Sequence, residues 1–109
     1  MDIRLYLAQR LSALIMAPFV LVHLGVMIYA IQGGLSAEEI LGRTRGSIGW
    51  MLFYGGFVIA ASVHGAIGLR TVTSEIFGLK GLGLNILTWG LFALFFVLGA
   101  RAVIAVTML

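Results

Sequence analysis

Cysteine is absent from all 109 residues, so disulfides and thiolate ligands are excluded, and any metal must be held through histidine, methionine or carboxylate. Charge is scarce. Asp, Glu, Lys and Arg supply 10% of the chain, where soluble domains carry about 25%, and a water-facing globular surface cannot be built from so few. There is one proline, Pro18, and there is no glycine-rich nucleotide loop, catalytic triad or paired acid, so the chain alone is not expected to be an enzyme. No internal repeat, low-complexity tract or glycosylation acceptor breaks the pattern.

Hydrophobic residues fill the space, at 61%. They gather in three stretches without charge, Leu11 to Ile31, Gly46 to Leu69, and Gly81 as far as Ala100, the last continuing past Arg101 to about residue 106. Each is long enough to cross a hydrocarbon core of ~30 Å, which takes about 20 helical residues. None shows the period-2 alternation of a barrel strand, and backbone amides in lipid must be satisfied within their own segment, so each is predicted to be a helix. The fold class is all-α: an integral membrane three-helix anchor, one transmembrane domain over residues 1–109 with spans at about 11–31, 46–69 and 81–106, forming half of a transmembrane helical bundle. The first apolar stretch, at 21 residues, exceeds the ~7 to 15 of a signal-peptide core and is expected to be retained.

Placement of basic residues sets the expected orientation. Arg4 and Arg10 at the amino end, with Arg70 and Lys80 in the second loop, outnumber Arg43, Arg45 and Arg101 on the other side by four to three. Counted near the span ends, this favours a cytoplasmic amino terminus, with a bacterial inner membrane as the expected setting.

Residues 1–10 read as a polar lead, with Tyr6 as an interfacial anchor. Pro18 removes one amide donor inside the first span and is predicted to bend it, re-aiming His23. In the first loop, Ser36-Ala-Glu-Glu39 fits a capping box opening a short surface helix that ends near Gly42. The second loop, RTVTSEIFGLKGLG, is predicted to return the chain into a third span that starts at about Asn85.

Only two histidines exist, and each falls inside a span: His23 in the first and His64 in the second. Ionisable groups at membrane depth are expensive, so each is a candidate functional residue in search of a partner. The bland alternative is a neutral imidazole bonded to a neighbouring helix. Around His64 the same helical face carries Ala60, Ala61 and Gly68, with Gly65 adjacent, which would let a flat object such as a porphyrin approach the backbone. The same residues make small-x-x-x-small pairs, Gly56 with Ala60 and Ala61 with Gly65, which let helices meet with no cofactor at all. His23 is flanked by Phe19, Val20, Val26 and Met27, a bulkier setting and a poorer slot. Measured from the expected cytoplasmic ends of their spans, the two imidazoles differ by about 10 Å in depth, at ~1.5 Å per residue. One iron held between two imidazoles needs both at nearly one level, so each histidine is expected to pair with a histidine of another chain.

Arg10 and Arg70 flank the spans at the level expected to be cytoplasmic. A guanidinium stays charged and offers several donors, which suits an acidic group or a quinone oxygen. Positive flanks that reach to lipid headgroups explain Arg70 and Arg101 equally well. Arg10 has Gln9 and Ser12 within about a turn, adding neutral hydrogen-bonding groups.

The stretch HGAIGLRTVTSE, with a histidine, Gly68-Leu69-Arg70 four residues on and an acid eleven positions after the histidine, resembles the haem-ligand helix of the cytochrome b membrane anchors of succinate dehydrogenase and fumarate reductase. QRLSALIMAPFVLVH resembles their first helix, and the likeness covers nearly the whole chain. The resemblance implies one of two small anchors beneath an FAD flavoprotein and an iron-sulfur subunit, passing electrons from the latter to quinone, with catalysis belonging to the complex. It implies haem b, one or two, shared with the partner anchor. His64 and His23 would be the axial metal ligands, Arg70 a further cofactor-binding residue, and Arg10, Ser12, Gln9 and Glu75 the quinone-binding set. Membrane lipid is the other expected partner, and nucleic acid is not expected. The chain departs from the family pattern at Ile76, where some members have a quinone-binding tyrosine, and at Tyr6, where some have a serine. Two alternatives are a haem-free anchor whose histidines bridge helices and a small transporter subunit, the latter disfavoured because no span contains Asp or Glu.

Overall fold

A computed structural model of the chain describes residues 2–108. It is all-α: α1 (Ile3–Gly33), α2 (Ala37–Thr44), α3 (Ile48–Phe77) and α4 (Gly81–Thr107). Helices α1, α3 and α4 are each long and apolar enough to cross a membrane. Helix α3 is central, with α1 packed on one side and α4 on the other, in a body of 47 × 23 × 23 Å.

Small residues on α3 and α4 set the packing distances. A methyl added at Gly99 would lie 2.6 Å from Val58 Cγ1, and one at Gly65 would lie 3.2 Å from the Phe95 ring. On the α1 side, Gly56 receives the tip of Phe19, 3.3 Å from where a Cβ would stand. Phe19 in turn sits 5.0 Å from the Phe53 ring and 5.9 Å from Phe57. The small-x-x-x-small reading of α3 therefore describes contacts made within this chain.

Two expectations change. Residues 3–10 are not a separate lead but the first turns of α1, opened by Asp2, whose side chain accepts from the Arg4 amide at 3.1 Å. Polarity there limits burial in lipid, not helicity, because Leu, Ala, Gln and Arg are good helix formers. The second loop shrinks to Gly78–Lys80, because α3 continues through Thr71–Phe77 and α4 begins at Gly81 instead of Asn85. The Thr71 hydroxyl donates to the Ile67 carbonyl at 3.1 Å and so is satisfied inside the helix, whose backbone bonds continue past it. The stop is Gly78, which takes the left-handed conformation (φ 68°) and returns its amide to the Ser74 carbonyl. Helix α1 is continuous through Pro18.

The short helix appears where the capping box placed it, two residues longer than expected. Ser36 Oγ accepts from the Glu39 amide at 3.1 Å. Gly34 (φ 120°) precedes it, and any side chain there would run into the Glu39 carboxylate. Helix α2 ties the loop to the end of α1 and to α4. Arg43 donates to the Gly34 carbonyl at 3.0 Å and lies over the Tyr29 ring, while the Thr44 hydroxyl donates to the carbonyl of Val106 on α4.

Candidate functional site

Helices α1 and α3 run antiparallel in a register that can be read from four contacts. Gln9 lies beside Gly68, Ser12 beside His64, Phe19 beside Gly56, and His23 beside Tyr54. His23 therefore stands level with Tyr54, ten residues from His64, which is roughly 15 Å along the axis. This exceeds the ~10 Å expected from span ends, because the spans' charged boundaries do not mark the helices' true ends. Two imidazoles so far apart cannot clasp one iron between them.

Around His64, the contacts come from α1. His64 is half-buried, and its Nδ1 faces Ser12 Oγ at 3.4 Å. Ser12 is only 5% exposed, and its hydroxyl donates to the carbonyl of Gln9 at 2.9 Å. Among the described residues, His64 Nε2 has no hydrogen-bond partner, and Gln9 Oε1 is the one buried side-chain oxygen or nitrogen left without a partner. Ser12 thus faces His64 directly, while Gln9, about a turn earlier on α1 and beside Gly68, carries the unmet polar atom. Such an atom costs about 1–3 kcal/mol unless something reaches it.

The other expected site residues go elsewhere. Arg10 is exposed and lies 5.5 Å over the Tyr6 ring, on a different face of α1 from Ser12. Glu75 is exposed near the carboxyl end of α3, eleven residues beyond His64. Arg70 reaches across to α4, where Nη1 donates to Asn85 Oδ1 at 2.9 Å and to Thr88 Oγ1 at 3.0 Å. Asn85 and Thr88 were not singled out in the sequence. Their signal was present, as two polar groups one helical turn apart on an otherwise apolar span, but nothing in the sequence said they faced α3.

His23 has more room than its bulky neighbours suggested. Its ring meets Phe57 edge-on at 5.7 Å and Tyr54 at 6.1 Å. It borders a hollow of about 1150 Å³ between α1 and α4, closed at one end by α2 and lined also by Trp50, Arg43 and Val103. Phe19, Val20 and Met27 do not fill this space because α1 and α4 both pack on α3 and hardly touch each other. A smaller hollow of about 430 Å³ lies along α3 and α4, bordered by Ala61, Ser62 and Gly65.

What could these residues hold? A histidine with one ring nitrogen engaged and the other free is the donor arrangement of an axial or metal ligand. His64 meets that description, and the unpartnered Gln9 amide oxygen, beside Gly68 one turn along α3, marks a place where a polar group is still wanted. Within this chain, among the described residues, no three of His, Asp and Glu come together. The available donor is thus a single imidazole, which suits a metal carried in its own macrocycle better than a bare ion. Room is limited on the α1 and α4 sides, where Gly68 and Gly65 are occupied by Gln9 and Phe95.

Comparison with known proteins follows the same direction. No curated protein and no solved structure matches the chain. The family model described as succinate dehydrogenase/fumarate reductase transmembrane subunit matches residues 2–100. Together with three helices long and apolar enough to span a bilayer, this makes the chain an integral membrane protein. It belongs to the succinate dehydrogenase/fumarate reductase transmembrane subunit family.

Proposed function

We propose that the chain is a haem b-binding anchor of a succinate:quinone oxidoreductase, in which His64 would supply one nitrogen ligand to the haem iron and a histidine of a second small anchor subunit another. The observation that supports this reading is the state of His64. It is half-buried, steadied through Nδ1 by Ser12, and has Nε2 without a partner. A b-type haem, when bound, supplies a one-electron carrier inside the membrane.

The chain's own residues hold and orient. Ser12 steadies the imidazole ring. Arg70 pins α3 to α4 through Nη1 alone, which leaves other N–H donors of its guanidinium for an acidic group of the cofactor. Gln9 offers its buried amide to a quinone oxygen or quinol hydroxyl near the same end of the bundle. Reducing the quinone takes two electrons, arriving from succinate through the flavoprotein and iron-sulfur subunit, and two protons. Arg10 and Glu75, exposed and apart from Ser12, are quinone contacts only where a partner subunit completes the site.

A reduced-minus-oxidised spectrum of the purified complex tests the reading. A b-type band is expected, and it should be lost in an assembled His64→Ala complex. A complex without that band, or with one that persists in the variant, removes the proposal.

A two-haem complex is favoured by one further observation: His23 lies on its own level, beside the larger hollow. Haem extraction and counting decides between them. Two haems per complex, falling to one in His23→Ala, support the two-haem form. One haem, unchanged by that substitution, leaves His23 as a packing residue against Tyr54 and Phe57.

A further inference from the structure

We infer that Ser12 is a positioning residue for His64: its hydroxyl keeps the imidazole proton on Nδ1 and leaves the Nε2 lone pair for iron. The inference deepens the haem reading above and rests on it for the identity of the metal. It also moves Ser12 out of the quinone-binding set in which sequence resemblance placed it.

A serine hydroxyl has one proton to give and two lone pairs to receive. Ser12 Oγ stands 2.9 Å from the Gln9 carbonyl and 3.4 Å from His64 Nδ1. O–H donors sit closest to their acceptors, at about 2.7–2.8 Å, whereas N–H donors sit farther off. The shorter contact therefore takes the hydroxyl proton, and the Gln9 oxygen can do nothing but accept it. Only lone pairs remain for His64, so Nδ1 must approach as N–H. A neutral imidazole carries a single proton, and with that proton on Nδ1 the bare nitrogen is Nε2.

Burial makes the arrangement durable, since Ser12 at 5% exposed leaves water little chance to substitute for it. The back-bond to Gln9 is set within α1, three residues apart, and exists whatever His64 does. Helix register then brings His64 to an acceptor already oriented. Fixing which ring nitrogen carries the proton is what the outer-shell partner of a metal-binding histidine does, and losing such a partner costs about 10–100-fold in affinity.

Two arms test this on the full chain. In the first, the haem-free chain labelled with ¹⁵N-histidine is placed in lipid bilayers, and the His64 nitrogens are read by solid-state NMR. Protonation on Nδ1 is expected in the wild type and in Ser12→Thr, with a mixture including Nε2–H in Ser12→Ala. Protonation on Nε2 in the wild type overturns the inference. In the second arm, the assembled complex is titrated potentiometrically. Ser12→Ala should bind haem at least tenfold more weakly and shift the midpoint to more positive potential, because the imidazole loses the acceptor that made it a stronger donor. Ser12→Thr should restore both. An unchanged affinity and midpoint in Ser12→Ala overturns the inference. A complex that holds no haem overturns the proposed function and the purpose given to Ser12, while the NMR arm still decides whether the hydroxyl governs the tautomer.

Discussion

At the level of single residues, the polar groups of this chain sort by whether a neighbour inside the chain uses them up. Ser12 and Thr88 are spent on internal bonds, whereas Gln9 Oε1 and His64 Nε2 are not. Gln9→Leu removes an acceptor that nothing among the described residues satisfies, so thermal stability should hold or rise slightly. If the amide contacts quinone, the same substitution should raise the quinone KM by about tenfold, equivalent to ~1.4 kcal/mol, with kcat nearly unchanged. Steady-state kinetics with a soluble quinone checks it. Arg70 behaves differently, being charged and bonded to both Asn85 and Thr88. Arg70→Ala should destabilise the chain by about 1.5 kcal/mol, the low end for bonds to a charged group because the site is partly exposed. Arg70→Lys should recover only part, since one ammonium cannot reproduce the planar fork. The thermal midpoint in detergent reads both.

At the level of elements, the α3–α4 contact depends on Gly99. Gly99→Ala places a methyl within 3 Å of both Val58 γ-carbons, so something must shift. The expected cost is about 1–3 kcal/mol, partly relieved in the double variant Gly99→Ala/Val58→Ala. Gly90→Ala on the same helix meets nothing within 4 Å and should be neutral or slightly stabilising. Chemical denaturation of the three variants separates the outcomes. Helix identity was legible in the sequence because uncharged runs of bilayer length have few alternatives. Helix ends were not. Hydropathy reports where lipid stops, and Ile3–Arg10 and Thr71–Phe77 continue as helix beyond that point. The short α2 was legible from Ser36 and Glu39 because capping is a local interaction.

Over the whole molecule, the chain buries little of its apolar surface. Among the described residues the buried apolar ones are Ala60, Ala66, Ile67 and Leu84, while large side chains such as Leu21, Trp89 and Ile76 stand about 70% exposed. Lipid and the other subunits of the complex must cover the rest. Of the candidate site, the sequence shows which residue types are anomalous at membrane depth, and both histidines stand out for that reason. It does not show that Ser12 turns toward His64 while Arg10 turns away, because that depends on the register between α1 and α3, fixed by Phe19 entering Gly56. Nor does it show that the space left between α1 and α4 places His23 beside a large hollow.

The most direct measurement is low-temperature electron paramagnetic resonance of the oxidised complex, wild type against His64→Ala, with assembly confirmed by size exclusion. The expected result is a low-spin ferric signal of two axial imidazoles that becomes high-spin, or disappears with the haem, when His64 is removed. An identical low-spin signal in His64→Ala, or no ferric signal in the wild type, would contradict His64 as an iron ligand shared with a second chain.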